Sequence, residues 1–527
     1  MKRYLYLLLS LTILIFWSSC RKDFTFSPSN GTLQFSKDTV YLDTIFSNIG
    51  SSTYNLKVYN RSNNDIVIPT LRLSQGQNSM YRLNVDGMTG NGTLQGKMFE
   101  NIELLAKDSM FIFIETTIDI ETLAASQTQF LYTDAIEFDS GEQLQKVELV
   151  TLVKDAVFIY PQRTIDNTTG EAVIKTLTFD VDGDGMEDET TIQGRFLNDN
   201  ELIFTNEKPY VIYGYAAVNT RKTLQIEAGS RVHFHANSGL LVIDGASLKV
   251  NGLPSLDLEL LEGEVIFEGD RLEPSFENIP GQWQTIWLFD GSVNNEINHA
   301  TIKNSTVGLL IDGNQNDPQK LTITNTQIYN ASNFGLLGRG SSIFGENLVI
   351  NNCGQSSFAG TYGGSYNFVH STFANYWNNS FRQFPTVLLN NFIVDEDNIT
   401  FTNPLDQANF INCIIYGSDN PELILDSDVS DTFIFKFTNC LIKFDNSNGN
   451  FSGSQYNFND GLLYENVVFN QDPNFLNPQN NRLQIPNGSS ADNLGIVFGT
   501  LISDIFNVPR SATPDLGAYE SIIFEED

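Results

Sequence analysis

Six short segments of this sequence can be laid over one another, and their spacing leaves the chain very few folds. They are His299-Ala-Thr-Ile-Lys-Asn304, Asn325-Thr-Gln-Ile-Tyr-Asn330, Glu346-Asn-Leu-Val-Ile-Asn351, His370-Ser-Thr-Phe-Ala-Asn375, Asn412-Cys-Ile-Ile-Tyr-Gly417 and Asn439-Cys-Leu-Ile-Lys-Phe444. Their fourth positions are all apolar: Ile302, Ile328, Val349, Phe373, Ile415 and Ile442. Successive copies start 26, 21, 24, 42 and 27 residues apart. A period of that size is the signature of a solenoid. Within each segment alternate residues point to opposite sides, so one set faces inward. A short strand, a turn and further short strands use about 20–25 residues per coil, and stacked coils place like side chains above like about 4.8 Å apart. An asparagine ending each strand can take left-handed geometry and hydrogen-bond the next coil. Asn304, Asn330, Asn351 and Asn375 therefore predict an asparagine ladder. A leucine-rich repeat would show leucine at fixed offsets, and a propeller about 40 residues per blade. The pattern selects a right-handed parallel β-helix.

Alternating strands punctuated by Gly229, Gly239, Gly245 and Gly252 extend the stack upstream to Thr223. In the 42-residue interval, Tyr376 to Phe384 reads as a protruding loop. Residues 32–155 read as seven or eight short strands separated by turn-formers, the length of an immunoglobulin-like β-sandwich. Residues 156–222 read as a linker leading into the β-helix, and 223–521 as the β-helix with a C-terminal cap. The expected fold class is all-β, a sandwich followed by a parallel β-helix.

Residues 1–19 are expected to be a signal peptide: Lys2 and Arg3 precede the apolar run Tyr4 to Trp17, which is short for a membrane span. Ser18-Ser19-Cys20 follows and resembles a bacterial lipobox, which implies lipidation at Cys20 and a lipidated tether over 20–31. Acyl chains contribute about 0.8 kcal/mol per buried methylene, so several hold a protein on a membrane. Arg21-Lys22-Asp23 resembles the short tags that send some such lipoproteins to the outer surface. The formal charge of −33 disfavours nucleic acid as a partner. Charged residues are only 18% and aromatics reach 12%, which marks a folded chain, not an acidic disordered one. Beyond Cys20 only Cys353, Cys413 and Cys440 remain, an odd number that cannot form a complete disulfide framework.

Gly281-Gln-Trp-Gln-Thr-Ile-Trp-Leu288, running into Ile297-Asn-His-Ala-Thr-Ile302, resembles the pectin-lyase-like superfamily of parallel β-helices. Pro514-Asp-Leu-Gly-Ala-Tyr-Glu520 looks like the ending of many bacterial surface β-helix proteins. The whole arrangement resembles uncharacterised Gram-negative envelope lipoproteins. That resemblance implies an outer-membrane, lipid-anchored protein; it implies no particular activity, because the fold hosts lyases, hydrolases, adhesins and inert stalks.

Asp180-Val-Asp182-Gly-Asp184-Gly185, followed by Asp188, is the sharpest chemical motif. Carboxylates alternating round a glycine turn converge on one hard cation, so Asp180, Asp182, Asp184 and Asp188 are expected to hold a structural Ca²⁺. His233 and His235 share a strand face without an identifiable third metal ligand, and read as stacked surface residues. His299 and His370 share the first, outward position of the repeat. Cys413 and Cys440 occupy one inward slot and read as inert core thiols. Tyr376, Trp377, Phe381 and Arg382 are the candidate ligand-binding residues: the rings could stack on sugar, and Arg382 is the least implausible base for a lyase. The expected function is a non-enzymatic envelope lipoprotein presenting a β-helix face to a polysaccharide or another envelope protein. The alternative is a polysaccharide lyase or glycoside hydrolase, which requires a cation converging with two carboxylates in a groove.

Overall fold

A computed structural model describes residues 25–524 except 91–93, 121–127, 140, 314–318, 448 and 500. The signal peptide and Cys20 lie outside the described residues. The chain is all-β and divides into two compact units, Met1–Asp155 and Ala156–Asp527.

The first unit is built from two sheets. In one, Ile66–Leu73, Gln129–Phe138, Gln145–Lys154 and Thr39–Phe46 lie side by side, with Ser27–Pro28 and Met98–Leu104 also paired to Ile66–Leu73. The other runs Gln34–Phe35, Tyr54–Tyr59, Ser109–Thr116, Tyr81–Val85, all antiparallel. Alternation explains the layering. In Ser109–Thr116, Met110, Ile112 and Ile114 are buried while Phe111 and Phe113 are exposed. One core joins Val40, Leu42, Ile68 and Ile136 of the first sheet to Leu56, Val58, Leu83 and Ile112 of the second.

The second unit is a stack of coils, each adding one short parallel strand to three faces. The first face carries Thr223–Glu227, Ser247–Asn251, Asn295–Asn298, the start of Leu321–Ala331 and of Ser342–Cys353, then Gly364–Val369, Leu405–Ile411 and Lys436–Thr438. The second carries Arg231–Phe234, Val265–Gly269, Ala300–Lys303, the ends of those two long strands, Thr372–Asn375, Ile414–Gly417 and Leu441–Ile442. The third runs from Tyr215–Val218 through Gly239–Val242, Ile286–Leu288, Leu309–Asp312, Leu336–Arg339, Phe358–Thr361 and Val387–Asn390 to Leu423–Asp426. This is a parallel β-helix. Its coils begin before Thr223, since Val157–Ile159 already pairs with Tyr210–Ile212.

Register corrects the six-segment alignment at one place. Ile302, Ile328, Ile350, Phe373, Ile415 and Ile442 form one buried column, so the third segment starts at Asn347, not Glu346. Asn352, not Asn351, then lies in the column of Asn304 and Asn330, and all three have φ between 54 and 66°. The other end of the same strand also turns through left-handed residues. His299, Asn325, Asn347, His370, Asn412, Asn439 and Asn466 have φ of 46–55°. Asparagine tolerates this conformation because its short side chain hydrogen-bonds locally. The repeat visible in the sequence is thus the second-face strand, with a left-handed corner at its start in every copy and at its end in the copies that finish on Asn304, Asn330 and Asn352. Hydrogen bonds climb the first corner: Asn347 Nδ2 donates to Asn325 Oδ1 at 2.9 Å, and Asn412 Nδ2 meets His370 Nε2 at 2.8 Å. His370 is only 1% exposed because the C-terminal segment covers it, with Ile496 O accepting from its partner Asn412 Nδ2 at 2.7 Å.

At the second corner Asn330 Nδ2 donates to Asn304 Oδ1 at 3.2 Å, but the next rung comes from elsewhere. Asn481 donates to Asn330 Oδ1 at 3.3 Å and accepts from Asn351 at 3.0 Å and Asn352 at 2.8 Å. Asn375 instead ties down backbone, donating to the carbonyls of Cys353 and Gln355 at 2.9 Å each. Asn481 belongs to a C-terminal segment that does not cap the stack but runs along its side. Phe475, Leu483, Ile485, Leu516, Ala518 and Tyr519 pack on the outward residues Val349, Ala374, Ile414 and Leu441 of the second face. The Asp-Leu-Gly-Ala-Tyr motif is the clasp. Gly517 N donates to Asn412 O at 2.7 Å, and Ala518 N to Thr372 Oγ1 at 3.0 Å. Gly517 has φ +84°, and a Cβ there would lie 2.5 Å from Thr372 Oγ1, so only glycine fits.

The 42-residue interval is a single coil with two insertions. One is the loop 376–386; the other is the hairpin Phe392–Val394 with Thr400–Thr402.

Candidate functional site

Two early strands, Thr176–Phe179 and Asp188–Phe196, form an antiparallel hairpin whose second strand joins the third face beside Tyr215–Val218. Leu177 and Phe179 cover the outward side chains Ala217, Leu241 and Ile243 of that face. The Asp-rich turn is the tip of this hairpin. Asp180 accepts from Gly183 N at 2.7 Å and Gly185 N at 2.8 Å, and Asp188 accepts from Val181 N at 2.9 Å. One oxygen each from Asp180, Asp182 and Asp188 lies within 4.8 Å of the others. Asp184 does not join them; its carboxylate accepts from Met186 N at 2.7 Å. Three hard oxygen donors this close suit Ca²⁺ better than a softer metal.

Beyond the tip the hairpin ends and the third face opens. Phe179, Val181, Asp182, Ile192, Trp287 and Phe289 line a cleft of about 610 Å³, inside the size range of small-ligand pockets. Trp287 is half-buried, and its ring meets Phe289 edge-on at 5.4 Å. Its indole Nε1 donates to Asp312 Oδ2 at 2.7 Å, and Arg339 Nη2 grips the same oxygen at 2.7 Å. Trp287 is therefore held at a fixed angle by partners from the next two coils. The outward row continues beneath it through Leu310, Leu337, Ala359, Leu388 and Ile424.

The region expected to bind ligand is occupied by packing. Arg382 is 5% exposed and forms a bidentate pair with the buried Glu422, Nη1 to Oε2 at 2.8 Å and Nη2 to Oε1 at 2.7 Å. Glu422 also accepts from Thr386 N at 3.0 Å and Thr386 Oγ1 at 2.7 Å. A guanidinium committed in this way is not offered to a substrate. Tyr376 packs on Phe475 of the C-terminal segment at 6.2 Å, and Trp377 lies against Gly354, where a Cβ would come within 3.3 Å of its ring. Only Phe381 of the four stands out, at 85% exposure. They do not make a shared platform.

The remaining candidates are accounted for by their surroundings. His235 Nδ1 meets Asp270 Oδ2 at 2.8 Å and its ring stacks on Tyr213 at 4.3 Å, so it is not paired with His233. His233 Nδ1 lies 3.6 Å from Glu268, which accepts from Lys303 Nζ at 3.0 Å. Nearby, Glu264 accepts from Thr301 Oγ1 at 2.7 Å. Burial pushes the Glu264 carboxyl up. Burial would raise Glu268 too, but the His233, Lys303 and Arg231 charges bring it below its ordinary value. Arg231 itself is spent on the carbonyls of Leu260, Leu261 and Glu264 at 3.0, 2.8 and 2.8 Å. Cys413 and Cys440 are adjacent in the core; burial and the neighbouring Cys440 sulfur push the Cys413 thiol well up, and burial takes Cys353 to about 12. Neither Cys413 nor Cys353 is a nucleophile near neutral pH.

No family model matches this sequence, and no curated protein is similar to it. Among solved structures, a family 123 glycoside hydrolase from Clostridium perfringens is 8% identical, with a TM-score of 0.16, over 24% of this chain and 30% of that one. A PapD-like domain of human CEP192 is 14% identical, with a TM-score of 0.15, over 25% of this chain and 91% of the domain. The chain thus spans less than a third of that hydrolase, and likenesses this slight carry no assignment.

Proposed function

We propose that this chain is a cell-envelope lipoprotein, anchored through acylated Cys20 to the outer membrane. In this reading an immunoglobulin-like first unit carries a β-helix whose third face binds glycan. The observation that carries it is Trp287: an indole locked by Asp312 and Arg339 at the head of an outward apolar row, with the cleft beside it. Pyranose rings present apolar faces that stack on such a ring, and a rigid platform lowers the ordering cost of binding. Coils about 4.8 Å apart repeat that row along the face, which suits an extended polymer. Calcium held by Asp180, Asp182 and Asp188 would stiffen the hairpin tip that forms one wall of the cleft. Calorimetric titration of the protein with neutral oligosaccharides tests the reading: Trp287→Ala should weaken binding at least tenfold, about 1.4 kcal/mol, as expected for a central aromatic anchor. Equal binding by Trp287→Ala and wild type would remove the cleft from consideration. Acylation is tested by mass spectrometry of the membrane-extracted protein, with Cys20→Ser expected to be recovered unacylated and soluble.

A second reading, glycoside hydrolysis, is favoured by one observation. Glu264, just before the strand Val265–Gly269, and Glu268 within it stand to either side of Ile266, and two carboxyls on one flank are what acid–base cleavage of a glycosidic bond requires. Release of reducing ends by wild type, lost in both Glu264→Gln and Glu268→Gln, would establish it in place of simple binding.

A further inference from the structure

The outward side of the four-stranded sheet in the first unit carries an unusual set of side chains. Register puts Lys57 beside Phe111, Asn84 beside Phe113 and Arg82 beside Glu115, while Tyr59 continues the Lys57 row. Phe111 and Phe113 are 42% and 41% exposed, with their rings stacked at 6.3 Å. Lys57 Nζ sits 5.0 Å from the Phe111 ring and 5.5 Å from Tyr59, and the Arg61 guanidinium lies 4.2 Å from Tyr59. Among the described residues no carboxylate pairs with Lys57 or Arg61. Arg82 reaches Glu115 only at 3.9 Å, with both side chains nearly half exposed. In a chain of formal charge −33, this aromatic face gathers three cations, Lys57, Arg61 and Arg82, against two carboxylates, Glu115 and the exposed Asp86, whose N–H donates to Phe111 O at 2.9 Å.

We infer that this face docks onto an anionic lipid surface. Exposed apolar patches rimmed by polar residues mark interaction sites. Two features choose lipid over sugar. The Phe111 and Tyr59 rings are already covered by cations, which spoils them as stacking platforms. Cationic heads above aromatic rings, by contrast, match a headgroup layer lying over acyl chains. Each Lys or Arg brought near an anionic leaflet contributes about 1 kcal/mol, so Lys57, Arg61 and Arg82 together give a weak, salt-sensitive attachment. A lipid anchor on Cys20 would convert that attachment into a fixed orientation; this consequence rests on the lipoprotein reading, but docking itself does not.

The test uses the full chain carrying Cys20→Ser, so that no acyl chain contributes. It is mixed with vesicles of phosphatidylcholine alone or with added phosphatidylglycerol, and binding is read by co-flotation. Binding is expected to the anionic vesicles only, to fall as salt is raised, and to fall at least tenfold in Lys57→Glu and in the double variant Phe111→Ser, Phe113→Ser. Both sites are on the exposed side of the sheet, so the fold is expected to survive; circular dichroism and melting temperature check this. Absence of binding to anionic vesicles, or binding that neither variant weakens, would overturn the inference. So would retention on a polysaccharide matrix lost in the same variants, which would give the face to a glycan.

Discussion

Two aromatic regions of the β-helix have opposite fates. Tyr376 to Phe384 holds five aromatic or cationic side chains in nine residues, yet Arg382 is sealed onto Glu422 and Tyr376 lies under the C-terminal segment. Phe179, Trp287 and Phe289 are scattered over more than a hundred residues of sequence, yet they meet beside an open cleft. The difference lies in what covers each flank. Phe475, Leu483, Ile485, Leu516 and Tyr519 lie along the second face of the later coils and consume its surface, whereas the hairpin 176–196 covers only the start of the third face and stops at Trp287. Density of aromatics in sequence measures packing demand as readily as binding capacity.

If the comparison holds, the covered flank should answer to mutation in stability and the open flank in binding. The largest effect is expected from Arg382→Met, which strands the Glu422 charge in the interior; breaking a buried pair costs about 3–5 kcal/mol. Denaturant unfolding measures it, and a loss below about 1 kcal/mol would mean Arg382 is available for ligand after all. Gly517→Ala comes next. It forces a methyl group against Thr372 and Ile414 at a φ that alanine disfavours, at about 1–3 kcal/mol, again read by unfolding. His370, buried beneath the same segment, makes the flank pH-sensitive. Burial, with the Arg510 charge, lowers its pKa from 6.5 to about 3. Between those values the unfolded chain binds a proton that the folded chain refuses, so stability should fall by up to about 1.4 kcal/mol per pH unit on acidification. His370→Asn should flatten that part of the stability curve without altering ligand binding. The smallest effect belongs to the open side: calcium at roughly ten times its dissociation constant should stabilise by about 1.4 kcal/mol. Asp180→Asn should abolish the shift in melting temperature.

The sequence displayed the solenoid because the second-face strand begins at a left-handed corner in every aligned copy, and asparagine serves that conformation at low cost. Where two asparagines stand together, Asn351 and Asn352, the pattern could not say which one turned, and only the pairing of Ile328 with Ile350 decides it. Strands of the first unit such as Tyr54–Tyr59 were legible from alternation, whereas Gln129–Phe138, in the middle of its larger sheet, was not singled out. The C-terminal segment was not, because its buried residues Leu483, Ile485, Leu516 and Tyr519 follow no period; they fit a surface made by other coils. Glu422, 40 residues from Arg382, gave no local sign of being its partner. Trp287 was visible inside the strand that suggested the superfamily, but its orientation depends on Asp312 and Arg339, which only the stacking of coils brings to it.

The contrast between the flanks comes down to one paired measurement: titration of a neutral oligosaccharide that wild type binds into Trp287→Ala and into Phe381→Ala, the exposed aromatic of the other region. Trp287→Ala is expected to lose at least tenfold in affinity while Phe381→Ala binds as wild type does. Undiminished binding by Trp287→Ala together with a loss in Phe381→Ala would contradict the assignment and return the site to the loop.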